Sequence, residues 1–385
     1  MELYKKFSNL FDVNIIYQLS NKDILVASSN QIKIYSINTF DKIYYFKEIK
    51  SSIISIKSIT ELKLDKNKGI ILAMYLSDFS IQIIKLSKIV KSHSSVYRHK
   101  LNQTIGIKTN KRIGIETYAC INSCLNYLII GINNKVHYYK NKDVDKINFT
   151  QEKEFKINQK LNPNRLKIEN IVGISSVKYK NYTLLIIILE EMSISIHYDI
   201  KIYFLEKFEL ITHFSNINLS PEKALMSYIT CSNDKHLYLI IGDKNDRIMI
   251  IKLFDDFEIY ENICLSKIIK ELSFNRSNNN DYEIKCVCGL NDGSFAICLY
   301  YRKVLDEKNY LIRGRINQKT KKFELLYIND NVHNNKTNFI TSSIVIRNNK
   351  KPEENYFMSG DHEGMIKLWK IKKFLNNCGF RSICT

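Results

Sequence analysis

Apolar residues in this chain fall in short runs rather than at helical spacing. The runs are about 5–8 residues long and are bounded by Asn, Asp, Ser and Gly, the pattern of many β-strands. One arrangement recurs: Ile, any residue, two apolar positions, any residue, then Leu or Ile. It occupies 32–37, 81–86, 200–205, 248–253 and 366–371, with weaker copies at 136–139 and 295–298. An apolar run and a short polar turn precede the copies. The runs include 24–27, 70–73, 127–130 and 237–241, and the turns include 77–79, 291–293 and 361–364. A further strand is expected before these, at 55–62, 116–122, 225–231 and 339–346.

The unit is thus strand, loop, strand, tight turn, strand, then a more polar outer strand. Marking the fourth residue of each copy gives positions 35, 84, 139, 203, 251, 298 and 369, so seven units account for the chain. A repeated four-stranded antiparallel sheet cannot bury both faces alone, whereas seven packed radially bury each face against a neighbour. The expected fold is all-β, a seven-bladed β-propeller forming a single domain over 1–385. The blades are expected near 13–51, 52–100, 113–156, 168–215, 222–266, 267–326 and 337–385. After Ile371 few residues remain, so the outer strand of the last blade must come from 380–384 or from the N-terminal strand within 1–12. The N-terminal strand is favoured, because joining the two chain ends removes an exposed edge.

The last unit reads Phe357-Met358-Ser359-Gly360-Asp361-His362-Glu363-Gly364-Met365-Ile366-Lys367-Leu368-Trp369-Lys370. It resembles a WD40 repeat. The resemblance implies that Ser359 is the inner-strand hydroxyl and Trp369 its hydrogen-bond partner. It puts Glu363 where the family has the Asp of the tight turn, and Lys370 where it has the Asp of the WD pair. No Gly-His dipeptide occurs in the chain. By analogy of fold, the resemblance implies a non-catalytic scaffold that mediates protein–protein interactions in a multisubunit complex.

Charge adds a second theme. The 385 residues carry 58 Lys+Arg against 39 Asp+Glu, a net charge of +19. Such a balance suits nucleic acid, an acidic partner or an anionic surface. The excess is mostly Lys, in a chain also rich in Asn and Ile, which reads as compositional bias over a solvated surface; Arg, the better reader of phosphates, is scarce. One segment stands apart: 79–115 contains no Asp or Glu. It holds Lys85, Lys88, Lys91, Arg98, Lys100, Lys108, Lys111 and Arg112, interleaved with His93, Tyr97 and His99. This is the candidate partner-binding patch, for an acidic protein or, in the alternative reading, for RNA as an accessory subunit of an RNA-processing complex. A second basic stretch, 302–322, includes Arg313-Gly314-Arg315 and reads as a loop.

Motifs for chemistry are missing. No Gly-rich loop opens a helix to cradle phosphate, and 289–293 reads as a strand and turn. The nine Cys lack the paired spacing of a zinc site or a disulfide framework and sit in apolar runs, as reduced buried thiols do. Glu190 and Glu191 are adjacent; in a strand they would face opposite ways, and a turn is the expected setting. The eight His are scattered. No enzyme activity, metal or cofactor is expected, and no small-molecule substrate. No secretory leader or membrane-length apolar run is read, so an intracellular setting, cytoplasm or nucleus, is expected.

Overall fold

Alternation gives way to complete burial in the middle strands. Every residue of Ile70–Leu76, Leu237–Gly242 and Ser294–Tyr301 is buried, the mark of sheets covered on both faces. The computed structural model of the chain describes residues 1–8, 12–28, 31–37, 39, 41–46, 56–62, 69–91, 94–106, 119–124, 127–141, 147–157, 168–179, 181–192, 196–217, 225–230, 236–243, 246–253, 257–265, 268, 282–290, 293–301, 308–317, 320, 322–329, 332–333, 340–347 and 355–371. Among them the strands form seven four-stranded antiparallel sheets, the blades of a β-propeller.

The first blade comprises β2 (Ile15–Gln18), β3 (Ile24–Ala27), β4 (Ile32–Tyr35) and β5 (Lys42–Phe46). The second has β6 (Ile56–Leu62), β7 (Ile70–Leu76), β8 (Ser80–Lys91) and β9 (Ser94–Gly106). The third has β10 (Ala119–Cys124), β11 (Tyr127–Ile132), β12 (Lys135–Asn141) and β13 (Phe149–Lys156). The fourth has β14 (Ile168–Tyr179), β15 (Tyr182–Met192), β16 (Ile196–Phe204) and β17 (Glu209–Ile217). The fifth has β18 (Leu225–Thr230), β19 (Leu237–Gly242), β20 (Arg247–Leu253) and β21 (Glu258–Cys264). The sixth has β22 (Tyr282–Gly289), β23 (Ser294–Tyr301), β24 (Lys308–Asn317) and β25 (Lys322–Asn329). The seventh has β26 (Ile340–Arg347), β27 (Asn355–Asp361) and β28 (Met365–Lys370), and its outer strand is β1 (Glu2–Ser8). β1 runs antiparallel to β28, from Glu2 opposite Lys370 to Ser8 opposite Met365.

The first strands of consecutive blades touch all the way round, with β26 of the seventh against β2 of the first, so the ring is closed. Seven apolar clusters follow, one in each seam between blades. The core is therefore distributed, and each blade owes its stability to both neighbours. Two second strands, β19 and β27, have a glycine at or next to their end where the next blade comes close. A β-carbon on Gly242 would lie 2.7 Å from Val287 Cγ2, and one on Gly360 would lie 2.4 Å from Val13 Cγ1. Polar stitches join neighbouring inner strands. Ser123 Oγ donates to the Glu61 carbonyl (2.6 Å), Ser176 Oγ donates to Asn122 Oδ1 (2.5 Å), and Gly289 N–H donates to Ser227 Oγ (2.7 Å).

A turn within the fourth blade carries an aromatic wedge to its neighbour. Phe208, between β16 and β17, has a left-handed backbone (φ 55°). That costs an L-residue roughly 1–2 kcal/mol. Its ring packs edge-on against Tyr138 of the third blade, with centroids 4.5 Å apart, which offsets the strain.

Three readings of the sequence change here. The run 295–298 lies in β23, the second strand of its blade, not the third, and the turn before it joins β22 to β23. Arg313-Gly314-Arg315 is not a loop but the third strand, β24. Glu190 and Glu191 lie in β15 rather than a turn, with Tyr198 Oη donating to Glu190 Oε1 at 3.0 Å.

Candidate interaction surfaces and a buried polar network

The seventh blade holds a chain of four side chains. The Trp369 indole N–H donates to Ser359 Oγ (3.0 Å); that hydroxyl also meets His333 Nε2 (3.0 Å), and His333 Nδ1 meets Asp361 Oδ2 (2.6 Å). Ser359 and Trp369 share a face because they lie on paired strands, Phe357 opposite Trp369 and Ser359 opposite Lys367. That face looks toward the sixth blade, where Trp369 packs with Phe357, Leu311, Cys298 and Val332. Asp361 closes the turn as well: its Oδ1 accepts the N–H groups of Glu363 (3.1 Å) and Met365 (2.8 Å). The carboxylate of the tight turn is thus Asp361 and not Glu363, whose side chain is exposed.

His333 was not singled out from the sequence. It follows Val332 in the connection before β26, outside any periodic run; the one available signal is an imidazole shortly ahead of the best repeat copy. Burial pushes its pKa down, and the hydrogen bond and charge of Asp361 push the other way. Lys367 donates to the Val332 carbonyl and fixes the same connection. Burial lowers its pKa, Asp361 opposes this, and Lys6 reinforces it.

The order Ser–His–Asp is that of a nucleophilic triad. Its surroundings are not. Ser359 is 0% exposed, and its oxygen already accepts the indole N–H. A substrate carbonyl has no approach, so these groups satisfy one another in the core.

The basic segment 79–115 is divided by the fold. β8 and β9 form a long hairpin that runs past the end of β7. Lys88 lies on the face turned to the first blade. Its Nζ pairs with Asp23 Oδ2 at 2.8 Å, and Tyr97 Oη donates to the same oxygen at 2.5 Å. Asn21 Nδ2 donates to Tyr97 Oη, and Tyr44 Oη meets His99 Nδ1 at 2.5 Å. Burial, then the hydrogen bond to Asp23, push the Tyr97 phenol far up. Lys85 and Lys100 are directly opposite across the strands and Arg98 opposes Ser87, which puts these three cations on the other face. Arg98 and Lys100 are exposed and Lys85 is half-buried. The side chain of Lys91, and Lys108, Lys111 and Arg112 altogether, lie outside the described residues.

In the second basic stretch Arg313 is only 1% exposed, its Nε donating to Ser294 Oγ at 3.0 Å. Arg315 grips Glu324 with two hydrogen bonds, 2.9 and 3.2 Å. Cys286 and Cys298 are opposite one another in β22 and β23, and with Cys288 they are buried. Among the described residues no group of three or more His, Cys, Asp or Glu side chains is placed to hold a metal ion, and no helix is long and apolar enough to cross a membrane.

No protein-family model and no curated protein sequence matches the chain. Solved structures do. The chain is similar to Chaetomium thermophilum Raptor, with a TM-score of 0.63 at 9% identity, over 97% of this chain and 29% of that one. It is similar to Saccharomyces cerevisiae Sqt1 (TM-score 0.56, 10% identity, 97% of this chain and 100% of that one). It is also similar to Chaetomium thermophilum Sqt1 bound to the N-terminus of the ribosomal protein L10 (0.57, 8%, 96% and 100%). At these identities the likeness is one of fold, a β-propeller.

Proposed function

We propose that this chain is a non-catalytic scaffold whose rigid ring presents loops and outer strands to other proteins of a complex. The observation that carries the reading is the burial of its one Ser–His–Asp arrangement among the described residues: groups able to do chemistry are consumed in holding the seventh blade, and recognition is left to the surface. The Sqt1 structure with an L10 segment supports it, as a propeller of similar fold that holds a stretch of another protein. Lys85, Arg98 and Lys100 are the described residues proposed to meet an acidic partner. They share one face of the β8–β9 hairpin, and opposed like charges favour an anion between them.

Affinity purification of the tagged chain, followed by mass spectrometry and nuclease treatment, tests the reading. Defined proteins that survive nuclease are expected. Recovery that consists of RNA, with protein lost on nuclease treatment, overturns it.

A further inference from the structure

We propose that the cleft where the ring closes, between β1 of the seventh blade and β5 of the first, docks an extended acidic peptide segment of a partner protein. Four charged or aromatic side chains converge there from opposite blades. Lys5 is paired in register with Leu368, Lys33 with Val26, and Lys42 with Tyr35; Leu368, Val26 and Tyr35 share the apolar cluster of this seam. Lys5, Lys33 and Lys42 therefore stand on the faces that the two blades turn toward each other. Tyr45, opposite Lys33, stands with them.

The cations are crowded. The ammonium groups of Lys33 and Lys42 lie 5.8 and 6.0 Å from the centre of the same ring, Tyr45. Lys5 Nζ donates to the Thr39 carbonyl at 3.0 Å, which carries a third positive charge across the seam. Lys33 is 8% exposed, and its pKa is lowered first by burial and then by the charge of Lys42. A carboxylate between these ammonium groups relieves that repulsion. Asp41 sits in the turn below, exposed to water, with its N–H donating to Thr39 Oγ1 at 3.3 Å.

The rim is apolar where the floor is charged. Tyr4 is 56% exposed and Tyr45 42%, two large side chains open to water beside the cationic floor. Tyr4 stacks at a tilt on Tyr356 of the same blade, 5.2 Å between centroids, which fixes its position. Both β1 and β5 are the last strands of their sheets, so each has a ladder edge to which an extended chain can add. A peptide uses all three features: carboxylates on the floor, apolar side chains on the rim, backbone on an edge. Single-stranded nucleic acid needs open ring faces for stacking, and here two ammonium groups already attend the Tyr45 ring.

The test uses the full chain and a fluorescein-labelled decapeptide of alternating Glu and Val, followed by anisotropy. Controls are the Gln-for-Glu decapeptide and a labelled ten-nucleotide oligothymidine. Binding of the acidic peptide, weakened tenfold or more by Lys42→Glu, restored by Lys42→Arg and steeply reduced by salt, is the expected result. Lys42 is exposed, so its exchange leaves the fold intact; unchanged melting of both variants verifies this. Equal affinity of the wild type and Lys42→Glu for the peptide overturns the proposal, as does oligothymidine displacing the peptide at equal concentration. Either result leaves the co-purifying proteins of the scaffold reading untouched, so the two failures are distinct.

Discussion

His333 and Asp361 meet through Nδ1 and Oδ2 at 2.6 Å, with both side chains almost fully buried. The imidazole comes from the connection before the last blade and the carboxylate from its tight turn, so this contact ties a loop to a strand end. Burial lowers the His333 pKa below its ordinary 6.5. A histidine that is harder to protonate when folded contributes stability that is complete above the unfolded value. That contribution is lost as pH falls from about 6.5 toward the lowered folded value. Melting temperature should therefore drop on acidification below about 6.5, and more steeply than in His333→Gln. Parallel pH profiles of the two proteins would sink this assignment.

Trp369 is the largest apolar group in its seam and gives its N–H to Ser359. Trp369→Ala should cost roughly 3–5 kcal/mol, as large-to-small core changes do. Ser359→Ala removes the hydroxyl that both Trp369 and His333 meet and should cost about 1–3 kcal/mol through two unsatisfied buried partners. Urea denaturation with a common slope measures both, and a Trp369→Ala protein as stable as the parent contradicts the packing.

Gly360 faces the first blade at the closing seam, where Val13 leaves no room for a β-carbon. Gly360→Ala should destabilise by about 1–3 kcal/mol through overpacking. Calorimetry would show this as a lowered transition. A neutral result means that Val13 can retreat.

Removal of residues 1–8 strips the outer strand from β28 and opens the seam to the first blade. Because each blade leans on two neighbours, the loss should spread through the ring, and the whole chain should melt earlier in one cooperative step. Hydrogen exchange that rises only in the seventh blade would argue against that coupling.

The cations of the β8–β9 hairpin should separate into two classes. Lys88→Glu places a carboxylate against Asp23 and should lower the melting temperature by several degrees. Arg98→Glu with Lys100→Glu should leave melting unchanged and weaken retention of co-purified proteins severalfold as salt rises. Lys108, Lys111 and Arg112, exchanged together for Glu, should act in the second way if they extend the same surface. Identical behaviour of all three variants removes the division.

The third strands were readable because both faces of each blade are covered: an Ile, any residue and then two apolar positions survive any local noise. The same rule misled at 295–298, where β23 is as fully buried as a third strand and only pairing tells them apart. Arg313 was read as part of a basic loop, yet it lies within the blade and bonds Ser294, a burial seldom met by a guanidinium. Glu363 and Asp361 are two positions apart in one turn, and spacing alone does not say which carboxylate bends inward. His333 belongs to no period at all. Its role exists only once the connection folds back over Ser359.

The pairing of β1 with β28 also sets a timetable. At synthesis rates of about 5–20 residues per second, β1 waits on the order of tens of seconds for its partner strand. Through that interval its apolar side chains and ladder edge are uncovered, open to a chaperone or to the β28 of another copy. Ring completion is thus the natural checkpoint in the assembly of this protein, and swapped dimers are the error it invites.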